Sequence, residues 1–416
     1  MFLVLLSALS CSTSTPDPAT PRTFRDVPGK WRNLPKRAPS ELSSDEQALI
    51  EQLEAIGYAD GVEEIQASKV ITVHDRTRAK AGLNLYTDGH GPVATLMDMD
   101  GNVLHEWSTT YWKAFPASMA AEGDWGTDYL RRVRLGDDGD LYAIFEGRGV
   151  LKLDAESHVR WAVPNGAHHD IVRNGDGIVV LTRKADVFPD LGTEPVLHDY
   201  IVYLDARGRE TKRVDLFEAL LESEHAHLFH DAAEKTGDVF HTNSVWLLTE
   251  AQAKLHPAWK PGFALVSIRQ LNAIGVVDPD AQRFVWAATG PWRHQHDATL
   301  REDGTLMLFD NEGLGRRSRV LALTLPDLDI AWSYEGTDAH PFFTGGIGAS
   351  QELPDGHVLI TESNGGRGFE VDRNGEIVWE FYVPHRAGDH QQFIATLMEV
   401  ERLGPEIPSW ARRPPR

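Results

Sequence analysis

The sequence predicts an all-β chain folded as a six-bladed β-propeller, preceded by a tether and a short N-terminal helix. Three observations carry this. From Gly82 onward, hydrophobic runs alternate with Asp-Gly and similar turns, the signature of successive hairpins. Six of these units close on a marker residue, at Trp107, Trp161, Arg213, Trp286, Trp332 and Trp379, with Arg213 standing where the others have Trp. By subtraction the markers are 54, 52, 73, 46 and 47 residues apart. A spacing of about 45–50 residues with four strands per unit is that of propeller blades, and six markers give six blades.

The chain has 416 residues, enough for one large β domain. Its formal net charge is −21, which repels nucleic acid and anionic membranes and excludes them as expected partners. Met1–Ser10 (MFLVLLSALS) is an apolar run too short to span a bilayer. Followed by Cys11 and a Ser/Thr/Pro stretch, it resembles a bacterial lipoprotein signal with Cys11 as the lipidated residue. Export to the periplasm or cell envelope is the expectation, with the signal over residues 1–11. Cys11 is the single cysteine of the sequence, so no disulfide forms within it.

Residues 12–43 are rich in Pro, Ser and Thr and read as a linker. Ser43-Ser44-Asp45-Glu46 starts a helix with a capping box, Leu49, Leu53 and Ile56 share one face, and Gly57 ends it. Residues 44–81 are thus a helix and a lead-in strand, 82–403 the propeller and 404–416 a tail. The Asp-rich turns Asp98-Met99-Asp100-Gly101 and Asp137-Asp138-Gly139 read as hairpin turns, since the rest of a calcium-loop pattern is missing.

The strand after each closing marker begins the next blade and lines the channel. Those strands start on Arg131-Arg132, His168-His169-Asp170, His241-Thr242-Asn243, His296-Asp297 and Ala349-Ser350. Three blades beginning on histidine point to chemistry, because a solvated rim has no need of imidazole. The preceding loops carry Tyr111 to Phe115, Trp125, Trp292, Phe342 and Phe343, which predict an aromatic bowl over a polar floor, while ordinary loop packing is the alternative. Glu222 to His230 reads as part of a lid. His225, His227 and His230 lack a cysteine or a fixing helix, so no metal is expected there, and the channel histidines read better as catalysts than as zinc or copper ligands. No phosphate-binding glycine loop or nucleophile elbow is present. No cofactor is expected.

Gly82 to Tyr86, Leu96 to Trp107, His168-His169-Asp170, His241-Thr242-Asn243-Ser244, Ser267-Ile268-Arg269, Gln295-His296 and Phe309-Asp310-Asn311, in this order, resemble the bacterial arylsulfate sulfotransferases that use no nucleotide sulfate donor. The resemblance covers most of residues 70–400. It implies transfer of a sulfuryl group from a phenolic sulfate ester to a phenol through a sulfohistidine on His296. It further implies Arg269, His241 and His169 as catalytic partners, with Asn243 and His168 binding substrate and no metal. An aryl sulfate and a phenol are then the small-molecule partners, and the number of subunits is left open. The chain departs from the better-known members in lacking their N-terminal β-sandwich and disulfide. Neutral imidazole is a nucleophile at neutral pH, and guanidinium offers a planar fork for sulfate oxygens. A non-catalytic binding propeller and a metal-dependent hydrolase or lyase are the other readings. Of the two histidines in Trp292-Arg293-His294-Gln295-His296, strand alternation puts His296 on the channel wall and His294 in the loop.

Overall fold

The computed structural model describes residues 30–33, 70–121, 124–187, 195–230, 237–301, 303–315, 317–337, 340–387, 391 and 393–412. The predicted helix that begins at Ser43, the signal and most of the linker lie outside them, while within the stretch read as a linker Trp31–Asn33 is a strand paired with Phe393–Ala395. No helix among the described residues is long and apolar enough to cross a membrane.

Six antiparallel sheets of the four-stranded type form a ring. Blade 2 takes Leu130–Leu135, Leu141–Phe145, Gly149–Leu153 and Val159–Val163, from the axis outward. Blade 3 takes Ala167–Asn174, Gly177–Asp186, Val196–Leu204 and Glu210–Asp215. Blade 4 takes Thr242–Leu247, Ala264–Ile268, Ala273–Asp278 and Arg283–Thr289, and blade 5 takes His296–Leu300, Leu306–Asp310, Arg319–Leu323 and Ile330–Tyr334. Blade 6 takes Ala349–Leu353, His357–Glu362, Arg367–Val371 and Ile377–Tyr382, with the lead-in strand Ile71–His74 added as a fifth.

Blade 1 closes the ring. Its inner strand Leu397–Leu403 comes from the end of the chain and pairs with Leu83–Asp88, which leads to Val93–Met97 and Val103–Ser108. Joining the two chain ends in one sheet removes two strand edges that would otherwise be free to pair elsewhere.

All six markers fall on the fourth strand of a blade, and the structure explains why tryptophan recurs there. The indole N–H of Trp107, Trp161, Trp332 and Trp379 donates to the carbonyl of Gly139, Ala206, Arg373 and Met99, each in a turn of the next blade. The residue is an inter-blade latch, with an apolar body against the strand and one donor for the neighbour. Arg213 keeps the latch by another route, its carbonyl accepting from Gln282 at 2.9 Å.

The core consists of apolar clusters between adjacent blades, such as Phe309, Phe342, Val358, Ile360 and Phe369 between blades 5 and 6. Two expectations are corrected here. The stretch read as a lid, Glu222 to His230, ends in helix His227–His230, and its Phe229 buries itself with Phe217 and Phe240 in the core beside blades 3 and 4. Most of the aromatic bowl is also core. Tyr111 and Phe115 pack with Phe145, Phe342 with Phe369, and Trp292 donates to Asn272 O at 2.9 Å. Burying those rings gains more apolar area than a solvent-facing bowl would.

Candidate active site

The histidines meet because of how the inner strands begin. Irregular registers lie between Ala167 and Ile171, Thr242 and Ser244, and His296 and Thr299. The backbone takes left-handed φ values of 56° at His169, 53° at His241, 54° at His294 and 53° at Asp297. Such values at residues other than glycine cost about 1–3 kcal/mol each and persist where surrounding contacts enforce them. The contacts are visible here. Asp170 accepts from Val245 N at 3.0 Å, Asp297 accepts from Ser350 N at 2.7 Å, and Ser244 Oγ accepts from Ala298 N at 3.1 Å. Asp170, Ser244 and Asp297 therefore each clamp the next inner strand.

At this end of the channel lies a cavity of about 430 Å³. Among its lining residues are His169, His241 and His296 with Arg131, Arg183, Arg269 and Lys30, the acids Glu146 and Asp238, and the rings of Trp125 and Tyr129. The sequence-predicted His296, His241, His169 and Arg269 are thus brought together.

His296 has its tautomer set by its neighbours. Its Nδ1 lies 2.7 Å from Asn311 Oδ1 and 3.1 Å from the His294 carbonyl. The Asn311 amide nitrogen donates to Thr344 O and Ile347 O, both at 2.7 Å, which fixes the amide with its oxygen toward the imidazole. Two acceptors at Nδ1 require the proton there, so Nε2 keeps the lone pair. Burial first, then the charges of His241, Arg131 and Arg269, hold the imidazole well below its usual pKa against the opposing Asn311 bond.

His241 Nδ1 lies 2.6 Å from Asp238 Oδ2, and its carbonyl accepts from Arg269 N at 3.2 Å, which ties the imidazole to the guanidinium residue. Burial raises the Asp238 carboxyl, but its bond to His241 and the charges of His241 and Arg183 outweigh that and keep it low. Arg269 Nη1 donates to Gln270 at 2.9 Å. His169 edges onto His241 with ring centroids 4.7 Å apart, and its N–H donates to Glu146 at 3.1 Å. Burial, with the charges of His241 and His168 next, holds the His169 imidazole low. Arg131 and Arg183 stand 3.6 and 3.5 Å from Glu146, and Arg183 lies 3.8 Å from Asp238.

The structure does not bring Asn243 or His168 to the cavity wall. Asn243 donates to Gln295 O at 2.8 Å, and the Gln295 amide donates to Ser267, Ile268 and Ala273, so Asn243 steadies the platform beneath His296. His168 lies behind His169, their Nδ1 atoms 2.8 Å apart. In a regular strand residues 241 and 243 would share a face. The left-handed turn at His241 and the irregularity after Thr242 break that alternation. His294 is outside the lining and pairs with Glu312 at 2.9 Å.

Among the described residues, two groups bring three metal-ligand atoms within 4.8 Å of one another, Glu146 with His168 and His169, and Asp88 with His90 and His385. The three histidines from His225 to His230 are not among them. At the first group Glu146 already faces two guanidiniums, so a divalent cation there would meet positive charge.

Residues 206–385 match the arylsulfotransferase (ASST) family model. Over this stretch the chain is similar to that family. The matched stretch holds His241, Asn243, Arg269, His296 and Asn311, whereas His168 and His169 precede it. The match supports aryl sulfotransferase activity as a general class and small molecules as its substrates. No curated protein matches the chain. Among solved structures, a protein of unknown function from Bacteroides caccae aligns at 12% identity over 77% of this chain and 98% of its own, with a TM-score of 0.46. Virginiamycin B lyase from Staphylococcus aureus aligns at 11% identity over 77% and 96%, with a TM-score of 0.42. The β-propeller domain of Cps50 from Myceliophteria thermophila aligns at 13% over 80% and 99%, with a TM-score of 0.40. At these scores the likenesses carry no argument, and the fold rests on the six sheets themselves.

The sequence reading assigned no role to Asn311, Glu146, Asp238, Arg131, Arg183 or Lys30. Asn311 stood in a quoted motif, and Arg131 stood among the predicted inner-strand starts. The others sit on second strands, in loops or before the propeller, where no periodicity marks them.

Proposed function

We propose that the protein moves a sulfuryl group from an aryl sulfate to a phenol by way of a sulfohistidine on His296. The observation that carries this is the fixed tautomer, with Nδ1–H held by Asn311 and His294 and a lone pair left on Nε2. Nε2 attacks sulfur, the bond from sulfur to the aryl oxygen breaks, and the phenolate leaves with the electron pair. His241, held by Asp238, passes a proton to that oxygen. In the second half the acceptor oxygen attacks sulfur and gives its proton to His241, and the N–S bond breaks to restore His296. Arg269 holds the sulfuryl oxygens, and His169 lies against His241 to complete the wall. The two half-reactions predict ping-pong kinetics. Export as a cell-envelope lipoprotein through Cys11 belongs to the same proposal, supported by the apolar run before it.

The test is incubation with para-nitrophenyl sulfate followed by mass spectrometry of peptides. Gain of one sulfuryl group on the peptide holding His296, absent in His296→Ala, is expected, and equal turnover by the variant would sink the assignment. Loss of activity on chelation would favour a metal-dependent hydrolase instead. Binding without any turnover would favour a non-catalytic propeller.

A further inference from the structure

Blade 2 sends no histidine into the cavity. Around the start of its inner strand it sends Tyr129 and Arg131 instead. Leu130 pairs with Phe145 and Arg132 with Ile144, so Arg131 is the extra residue of an irregular register. An inserted residue of this kind re-aims a side chain. Here it lets two consecutive arginines turn inward, Arg132 to Asp297 at 3.3 Å and Arg131 to the cavity. Blades 2 and 5 lie opposite each other in the ring, so the Arg132 side chain spans the channel. Arg131 shares the cavity with His296 of blade 5, and its charge helps to hold that imidazole low.

The three guanidiniums of the lining differ in what they hold. Arg183 stands between Glu146 at 3.5 Å and Asp238 at 3.8 Å, and Arg269, half-buried, donates from Nη1 to Gln270 at 2.9 Å. Arg131 is 3% exposed, yet its Nη1 has no hydrogen-bond partner among the described residues. The Glu146 carboxylate lies 3.6 Å from its Nε, too long for a hydrogen bond. Tyr129, two residues earlier and 4% exposed, lines the same cavity, and its hydroxyl likewise has no partner among the described residues. A buried donor without an acceptor is costly, and more so when it carries charge. Two such donors on one wall are completed by a ligand that accepts from both and brings negative charge. Sulfuryl oxygens do this, and a neutral aromatic ring does not.

We infer that Arg131 Nη1 and the Tyr129 hydroxyl form an oxyanion pocket that holds the sulfuryl oxygens from blade 2 while His296 attacks sulfur from blade 5. For its catalytic meaning this rests on the sulfuryl-transfer reading. Neither residue forms or breaks a covalent bond. Both donate hydrogen bonds to sulfuryl oxygens, in the ester and again in the sulfohistidine. Arg269 then shares the group with blade 2 and does not hold it alone.

The experiment measures calorimetric binding of para-nitrophenyl sulfate and of para-nitrophenol to the full chain carrying His296→Ala, so that the ester is not consumed. Adding Arg131→Met should weaken binding of the ester about tenfold or more, the worth of one charge-assisted hydrogen bond. Adding Tyr129→Phe should weaken it about fivefold, the worth of a single hydroxyl donor. Binding of para-nitrophenol, which has no sulfuryl group, should be unchanged by either. Tyr129→Phe keeps the ring and its packing with Ile347 and Met398, so it decides the matter if Arg131→Met fails to fold. Undiminished ester affinity in Tyr129→Phe or in folded Arg131→Met, or an equal loss for ester and phenol, would overturn the inference. With His296 restored, an Arg131-dependent preference for the ester without any sulfuryl transfer would uphold the pocket and refute the transferase reading.

Discussion

The two mouths of the channel differ in a way that size alone misjudges. At the far ends of the inner strands lies the larger void, about 1150 Å³, lined by Arg134, Asp170, Arg301, Glu352, Glu399 and Glu401 among others. Its charges answer one another. Arg134 meets Glu399 at 2.6 Å and Asp170 at 3.4 Å, and Arg301 meets Glu352 at 2.6 Å. No imidazole lines it. The mouth where the inner strands begin is smaller, yet it holds three histidines together with Arg131, Arg183 and Arg269. Between them Arg132 joins Asp170, Asp297 and Glu399 in a buried ion cluster that separates the two spaces. Paired charge fills a channel, whereas a desolvated base beside guanidiniums makes a site.

The sharpest way to break this comparison is to empty each mouth in turn. His296→Ala should abolish sulfuryl transfer in a donor assay, while Arg301→Ala at the other mouth should leave turnover within about twofold, as a partner of a half-exposed acid would. A comparable loss from both would end the distinction.

Asn311→Ala tests whether the tautomer matters. Without Asn311 only the longer bond to the His294 carbonyl favours the proton on Nδ1, and kcat should fall by about 10²-fold or more, in the range for misplaced proton chemistry. The same change strips Thr344 O and Ile347 O of their donor, so the Tm should drop as well. A lowered Tm with unchanged kcat would separate the structural role from the chemical one and remove Asn311 from the mechanism.

Between the mouths, Arg132→Met leaves three carboxylates without their shared cation. Breaking a buried pair on one side costs about 3–5 kcal/mol. A urea melt should show a loss of that order, and a change under about 1 kcal/mol would mean the acids accept protons instead. Asp297, pushed up by burial to about 6 even with Arg132 present, is the first that would do so.

The pH profile sharpens the contrast further. His296 is held below the ordinary imidazole value, so its neutral form persists to lower pH than a free imidazole would. The acid limb of kcat/KM should therefore lie below pH ~6.5. An acid limb at or above it would show that His296 is not desolvated as described. The smallest effect belongs to Trp161→Phe, which removes one inter-blade bond to Ala206. A stability loss of about 0.5–1.5 kcal/mol is expected in the same melt, with turnover intact.

Blade number and strand order were readable in the chain because each blade repeats one local demand, an alternating strand that ends on a latch residue. Even Arg213 kept its place in that series. His241 and His296 were readable for the same reason, since they begin an inner strand. The lid and the aromatic bowl misled because a loop's composition does not say which of its rings reach the core. Phe229 and Tyr111 are as apolar as Trp125, and only the packing of neighbouring blades sorts them.

The sequence by itself determined the repeat, the acidic surface and the order of the site residues, all of which are properties of neighbours along the chain. Tertiary structure alone decided which side chains share a cavity. Asn311 reaches His296 because blade 5 folds its second strand against its first, and Asp238 reaches His241 across an irregular turn. Lys30 arrives from a segment with no repeat at all. The physical reason is that a proton's position and a charge's balance depend on distances through space, and those exist only once the ring has closed.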